Sequence, residues 1–120
     1  MSDKSYEEQV ADAKQHIREV SPREVLAMHE RGERPVLLDV RELMEWNLGY
    51  LPGAVHVPLG SLQSQAEAKV PRDQPVVIYC ARGNRSALAA EELQRMGYTD
   101  VASMSQGFIG WIDAGGDVEG

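Results

Sequence analysis

Apolar residues near the start of the chain recur in a helical rhythm. Tyr6, Val10, Ala13 and Ile17 are spaced by four, three and four, which puts them on one face of a helix. Ser5 followed by Glu8 has the spacing of a capping box. A second helix start is written in Ser21-Pro22-Arg23-Glu24, with serine as N-cap, proline at the first helical position and glutamate as the reciprocal partner; Gly32 closes it. The rhythm then changes. Residues 36–40, Val-Leu-Leu-Asp-Val, form a short apolar run after Pro35, as expected of a strand buried on both faces. A short helix over 42–48 is stopped by Gly49, Pro52-Gly53 makes a turn, and a brief strand over 54–57 ends at Pro58. A further helix is expected over 61–68. Val76-Val77-Ile78-Tyr79 is the clearest strand, and it leads through a glycine-containing loop into a helix over 86–96 whose apolar stripe is Ala89, Ala90, Leu93 and Met96. A strand over 101–104 and a helix over 107–113 complete the chain. Strands alternating with helices predict an α/β fold, a parallel sheet with helices on both faces.

Composition narrows the partners. The 120 residues suit one domain, and 42% hydrophobic with 26% charged residues is ordinary for a globular chain. Nineteen acidic residues against twelve basic ones give a net charge of -7, which argues against nucleic acid and anionic membranes as partners. No apolar stretch approaches the ~20 residues that a membrane-spanning helix needs. The first eight residues are polar and acidic, without the basic and apolar regions of a secretory signal, so a cytoplasmic location is expected. One cysteine excludes an intrachain disulfide.

That cysteine stands where chemistry is expected. Ligands of open parallel sheets bind beyond the C-terminal ends of the strands. Cys80-Ala81-Arg82-Gly83-Asn84-Arg85-Ser86 occupies such an end, between the best strand and a well-patterned helix. A helix start offers free amides and a dipole to an anion, and Gly83 lets the loop curl with its amides inward. Arg82 and Arg85 add guanidiniums able to pair with an oxyanion or a thiolate. These features favour the thiolate and make Cys80 a nucleophile candidate. Asp39 and Arg41, at the same edge, read as a hydrogen-bonded pair supporting the site from behind, with Glu42 or Glu45 as further partners. His16, His29 and His56 are scattered and share no metal-ligand spacing with Cys80. Trp46 and Trp111 read as core or pocket-wall aromatics.

These residues resemble the rhodanese-like sulfurtransferases in their single-domain form. The resemblance runs over nearly all of residues 20–119. It rests on Leu37-Leu38-Asp39-Val40-Arg41, on Gly49-Tyr50-Leu51-Pro52-Gly53-Ala54, on Val57-Pro58-Leu59, on the loop from Cys80 to Ser86, and on Gly107 through Trp111. Tyr50 stands where the family commonly has histidine, and Gln106 where it commonly has glycine. The resemblance implies a three-layer fold around a parallel sheet of about five strands, residues 20–120, preceded by an N-terminal helical extension, residues 1–19. It implies catalysis by Cys80, with Arg82, Arg85 and the loop backbone of Ala81, Gly83, Asn84 and Ser86 binding the donor. Sulfane sulfur would pass from thiosulfate or a similar small anion, through a persulfide, to cyanide, an external thiol or a protein acceptor, with no metal or organic cofactor. Four residues separate Cys80 from Arg85, against five in cysteine phosphatases and the arsenate reductases of related fold, and the shorter loop suits a persulfide better than a phosphate or arsenate. The alternatives are a sulfur-carrying or redox partner module with little turnover alone and, with weaker support, phosphatase or arsenate reductase chemistry.

Overall fold

A computed structural model describes residues 4–120, so the first three residues of the 1–19 extension lie outside the described residues. The chain runs α1 (Tyr6–Lys14), β1 (Arg18–Val20), α2 (Pro22–Glu30), β2 (Val36–Asp39), α3 (Leu43–Leu48), β3 (Val55–His56), α4 (Leu62–Lys69), β4 (Val76–Tyr79), α5 (Asn84–Arg95), β5 (Val101–Met104) and α6 (Gly107–Asp113). The five strands form one sheet in the order β1-β5-β4-β2-β3, and every pairing is parallel. The α/β architecture with an N-terminal helix is the one the sequence predicts.

Alternation along the strands divides the core in two. Leu38, Val76, Ile78, Cys80 and Val101 face α4 and α5, packing with Leu62, Ala66, Ala89, Ala90 and Leu93. Leu37, Val77, Tyr79, Ala102 and Met104 face the other way, against Val25 of α2 and Trp111 of α6. All four residues of β4 are buried, as a central strand covered on both faces must be. Both predicted capping boxes form, Ser5 with Glu8 and Ser21 with Glu24.

The first helix is shorter than its periodicity suggests. It ends at Lys14, and Ile17 precedes an edge strand that the sequence analysis did not expect. Arg18 and Glu19 of β1 are exposed, so the strand has no apolar alternation to read; its pairing with β5, together with the Ser105 amide on the Val20 carbonyl at 2.8 Å, defines it. The boundary between residues 19 and 20 therefore falls inside a strand of the sheet. The helix after the glycine loop begins at Asn84, two positions before Ser86, because Gly83 serves as its N-cap.

The C-terminal end of β2 is tied down by a buried ion pair. Arg41 Nε donates to Asp39 Oδ1 at 3.0 Å, Arg41 Nη2 donates to Asp39 Oδ2 at 2.7 Å, and the Arg41 amide bonds the same carboxylate at 2.9 Å. Arg41 Nη2 also donates to the Gly49 carbonyl at 2.6 Å, and its guanidinium lies 4.3 Å from the centre of the Phe108 ring. The pair thus joins β2, the end of α3 and α6. The sequence analysis offered Glu42 or Glu45 as further partners; Arg41 takes a backbone carbonyl instead. Asp39→Ala leaves the Arg41 guanidinium buried without its counter-charge. Urea unfolding should show a loss of about 3–5 kcal/mol. A loss below about 1 kcal/mol, the range of an exposed pair, would mean that the pair does not anchor this edge.

Candidate active site

The buried strand β4 delivers Cys80 to the C-terminal edge of the sheet, where its side chain is only 1% exposed. The chain then turns through Gly83, whose φ of 99° lies in the left-handed region open to glycine, and enters α5. The Gly83 amide donates to Cys80 Sγ at 3.1 Å, and the Ser86 amide, in the first turn of α5, does so at 3.4 Å. The Ser86 hydroxyl lies 3.6 Å from the sulfur and 2.7 Å from the hydroxyl of Ser103 on β5. A buried sulfur that receives amide hydrogens is an environment that accepts negative charge.

The loop carbonyls are satisfied on the opposite side. Phe108 donates its amide to the Cys80 carbonyl at 2.8 Å, and Ile109 donates to the Ala81 carbonyl at 3.1 Å. This approach requires Gly107, since a Cβ there would lie 2.3 Å from the Cys80 oxygen and 2.7 Å from the Ala81 carbonyl carbon. Gln106, immediately before it, has a φ of 64°. Glycine, the family's common residue at this position, adopts that conformation without strain.

The arginines differ in setting. Arg82 is exposed and forms no ion pair among the described residues. Arg85 is partly buried and is held by Glu45 of α3, Nη1 donating to Oε1 at 2.6 Å and Nη2 to Oε2 at 3.0 Å. The sequence analysis expected this guanidinium to meet an oxyanion or the thiolate; its first partner is a carboxylate of the protein. Arg85 holds the Glu45 carboxyl well below the usual range, at about 2, and the same pairing raises Arg85 further. Arg85 directly precedes Ser86, whose amide meets the sulfur, so its backbone belongs to the turn around Cys80.

Of the four loop residues whose backbone was expected to bind the donor, Gly83 and Ser86 direct amides at Sγ. Ala81 gives its carbonyl to α6, and Asn84 is exposed, its side chain accepting from Lys14 Nζ at 3.5 Å. Asp39 and Arg41 lie one strand over. Three contributors were missed or placed with other partners. Glu45, expected beside Asp39 and Arg41, holds Arg85 instead. Ser103, buried with no exposed surface among apolar neighbours in β5, was the readable anomaly. Gly107 was noted for resemblance, not for the contact it permits.

The histidines are engaged elsewhere: His16 with the Asp12 carbonyl, His56 with the Arg41 carbonyl, and His29 edge-on to Trp111. Trp111 is core, and Trp46 stacks between Tyr50 and His56 with ring centres 3.9 and 4.9 Å away. Tyr50, in the position where the family commonly has histidine, is thus part of an aromatic stack.

Known proteins resemble this chain in sequence and in fold. The chain is 34% identical over 95 residues to thiosulfate sulfurtransferase GlpE of Pseudomonas savastanoi pv. phaseolicola, covering 79% of this chain and 87% of that one. It is 32% identical over 93 residues, 77% of its length, to the protein named probable adenylyltransferase/sulfurtransferase MoeZ of Mycobacterium tuberculosis, of which it spans about a quarter, 24%. Among solved structures, a protein of unknown function from Rhodopseudomonas palustris, described as a possible tyrosine phosphatase, superimposes with a TM-score of 0.86 at 32% identity, covering 99% of this chain and 97% of that one. A family model, the rhodanese-like domain, matches residues 21–114 and so takes in every strand of the sheet but β1 together with the whole cysteine loop: the chain belongs to the rhodanese-like domain family.

Proposed function

We propose that the protein is a sulfurtransferase that loads sulfane sulfur from thiosulfate, or a donor of that kind, onto Cys80 and passes it to cyanide or to a thiol. The observation that carries this reading is the pair of amides, from Gly83 and Ser86, directed at the sulfur of a buried cysteine. In the first half-reaction thiolate Cys80 attacks the outer sulfur of thiosulfate, the S–S bond breaks, and sulfite leaves with the bonding pair. The remaining persulfide is an anion, and amides fixed before the reaction stabilise it as an oxyanion hole stabilises developing charge. In the second half-reaction the acceptor attacks the terminal sulfur; cyanide leaves as thiocyanate and the Cys80 thiolate returns. With a single cysteine in the chain, the acceptor comes from outside, as a small molecule or a protein thiol. Arg82 draws the donor anion to the mouth, Arg85 shapes and charges the wall beside the sulfur, and Asp39 with Arg41 braces the neighbouring strand end. A lone reactive thiol fits a reducing compartment such as the cytoplasm.

A sulfur-carrying module is the second reading, favoured by the burial of Cys80, which restricts the acceptors that reach it. The phosphatase description of one structural neighbour has less support, since four residues between Cys80 and Arg85 make a narrow ring and Arg85 already holds a carboxylate.

Thiocyanate formation from thiosulfate and cyanide tests the enzyme reading. The wild-type chain should turn over, and Cys80→Ser, which keeps the fold but loses the nucleophile, should fall to background. Turnover that survives in Cys80→Ser would overturn the assignment.

The two arginines should separate kinetically. Arg82→Ala should raise KM for thiosulfate more than it lowers kcat, as loss of uniform binding does. Arg85→Ala should lower kcat, because it removes a charge beside the sulfur and releases α3 from the loop. Charge-assisted contacts of ~1.5–3 kcal/mol correspond to changes of roughly ten- to a hundredfold. Kinetics within about twofold of wild type for both variants would leave the loop amides as the sole anion-binding groups.

A further inference from the structure

The helices beside the cysteine loop carry apolar side chains that the core does not take in. Of the seven large apolar side chains left exposed among the described residues, five stand on two short helices: Leu43, Met44 and Leu48 on α3, Ile109 and Ile112 on α6. Single exposed apolar residues are ordinary on a protein surface, but a cluster of them marks an interaction site. Both helices border the loop. Glu45 of α3 holds Arg85 at 2.6 and 3.0 Å, next to Ser86, whose amide lies 3.4 Å from the sulfur. Ile109 of α6 donates its amide to the Ala81 carbonyl at 3.1 Å. On α3, Leu48 lies three positions from Glu45 and four from Met44, so all three are neighbours on the helix surface. Met44 is 80% and Leu48 89% exposed, while Trp46 stacks inward on Tyr50 and His56. The helix thus anchors itself through a carboxylate and an aromatic ring and leaves its aliphatic residues outside, the reverse of an ordinary amphipathic helix.

The reaction narrows what covers this surface. With one cysteine in the chain, the sulfur must leave to an outside acceptor, and Cys80, buried in the sheet edge, is reached only by a projecting group. A second copy of the chain brings no such thiol, because its one cysteine is equally buried, and two chains of net charge -7 repel each other. Charge at the loop has the opposite sign. The Asp39–Arg41 and Glu45–Arg85 pairs are neutral, Arg82 is exposed without an ion pair among the described residues, and Lys14 Nζ of α1 lies 3.5 Å from Asn84 Oδ1. An acidic segment with apolar residues complements both the charge and the aliphatic side chains. We propose that α3 and α6 dock a thiol-bearing acceptor protein whose reactive cysteine stands on an apolar, acidic segment. The inference rests on the sulfurtransferase reading and names the partner for its second half-reaction. There the acceptor thiolate attacks the outer sulfur of the Cys80 persulfide. A new S–S bond forms on the acceptor, the old one breaks with its electron pair on Cys80, and the Cys80 thiolate returns. No external oxidant or reductant enters.

The test loads the full-length chain with thiosulfate, removes excess donor and follows single-turnover loss of the sulfur to peptide thiols by intact mass. The peptides have about fifteen residues and a central cysteine, so at ~3.3 Å per extended residue they reach well beyond the loop on either side. Leucines and glutamates flank the cysteine in the first, serines and glutamates in the second, leucines and lysines in the third. Each rate is divided by that peptide's rate with neutral dipyridyl disulfide, which removes differences in thiol reactivity. With the wild-type chain the first peptide should react about fivefold faster, or more, than either of the others. The double variant Met44→Gln with Leu48→Gln changes two exposed positions and keeps good helix formers there. In it the advantage of leucine over serine should fall to within about twofold. Equal wild-type rates for the leucine and serine peptides, a lysine peptide as fast as the glutamate one, or a leucine advantage that survives in the double variant overturns the inference while the sulfurtransferase reading stands. A wild-type dimer in sedimentation that the double variant dissolves gives the surface to a second copy and overturns it as well. A wild-type chain that takes up no sulfur overturns both.

Discussion

A loop that turns its amide hydrogens toward a sulfur must turn carbonyl groups elsewhere, and buried carbonyls need donors. In this chain the donors are the amides of Phe108 and Ile109 at the start of α6, bonded to the carbonyls of Cys80 and Ala81. They come close enough because Gly107 has no side chain; a methyl group there would collide with the Cys80 oxygen. The anion-accepting face of the loop and the helix behind it are thus two sides of one arrangement. Gly83, φ 99°, makes the bend, and the sheet fixes where the bend begins, since β4 pairs with β2 and β5 up to the residues just before Cys80.

Charge around this edge is arranged in pairs. Asp39 and Arg41 sit buried where β2 ends, and Arg41 carries the tie on to Gly49 and the Phe108 ring. Glu45 and Arg85 link α3 to the first turn of α5, next to the cysteine loop. Both pairs join α3 or its end to something carrying or backing the cysteine loop, so the short helix of six residues is held at both ends although none of its residues is buried. In a chain of net charge -7, the exposed guanidinium of Arg82 is a local exception to the general surface.

Much of this was readable from the residues. The helices of the first thirty positions follow from capping residues that form the predicted hydrogen bonds, and β4 from an uninterrupted apolar run that only a doubly covered strand can bury. Cys80, the bend at Gly83 and the helix after it were legible because thiol, glycine and arginines crowd into seven positions. What escaped notice was non-local. β1 is a strand because β5 offers it an edge, not because Arg18-Glu19-Val20 alternates. The partner of Arg85 comes from forty residues away, and its spacing in sequence says nothing of the contact. Ser103 is a polar residue within a buried strand, which is visible in sequence, but its bond to Ser86 exists only once α5 packs on the sheet. Gln106 shows the reverse: a departure from the family pattern that takes a φ of 64°, the conformation glycine favours.

The central claim is that the loop from Cys80 to Ser86 stabilises a sulfur-bearing anion on the cysteine it surrounds. Intact mass spectrometry after incubation with thiosulfate and removal of excess donor reads this directly, with no need for an acceptor or for steady-state turnover. The account predicts a gain of one sulfur atom per chain, reversed by cyanide or dithiothreitol and located on Cys80 by peptide mapping. An unchanged mass, or a sulfur adduct carried by a chain in which Cys80 is serine, would contradict it.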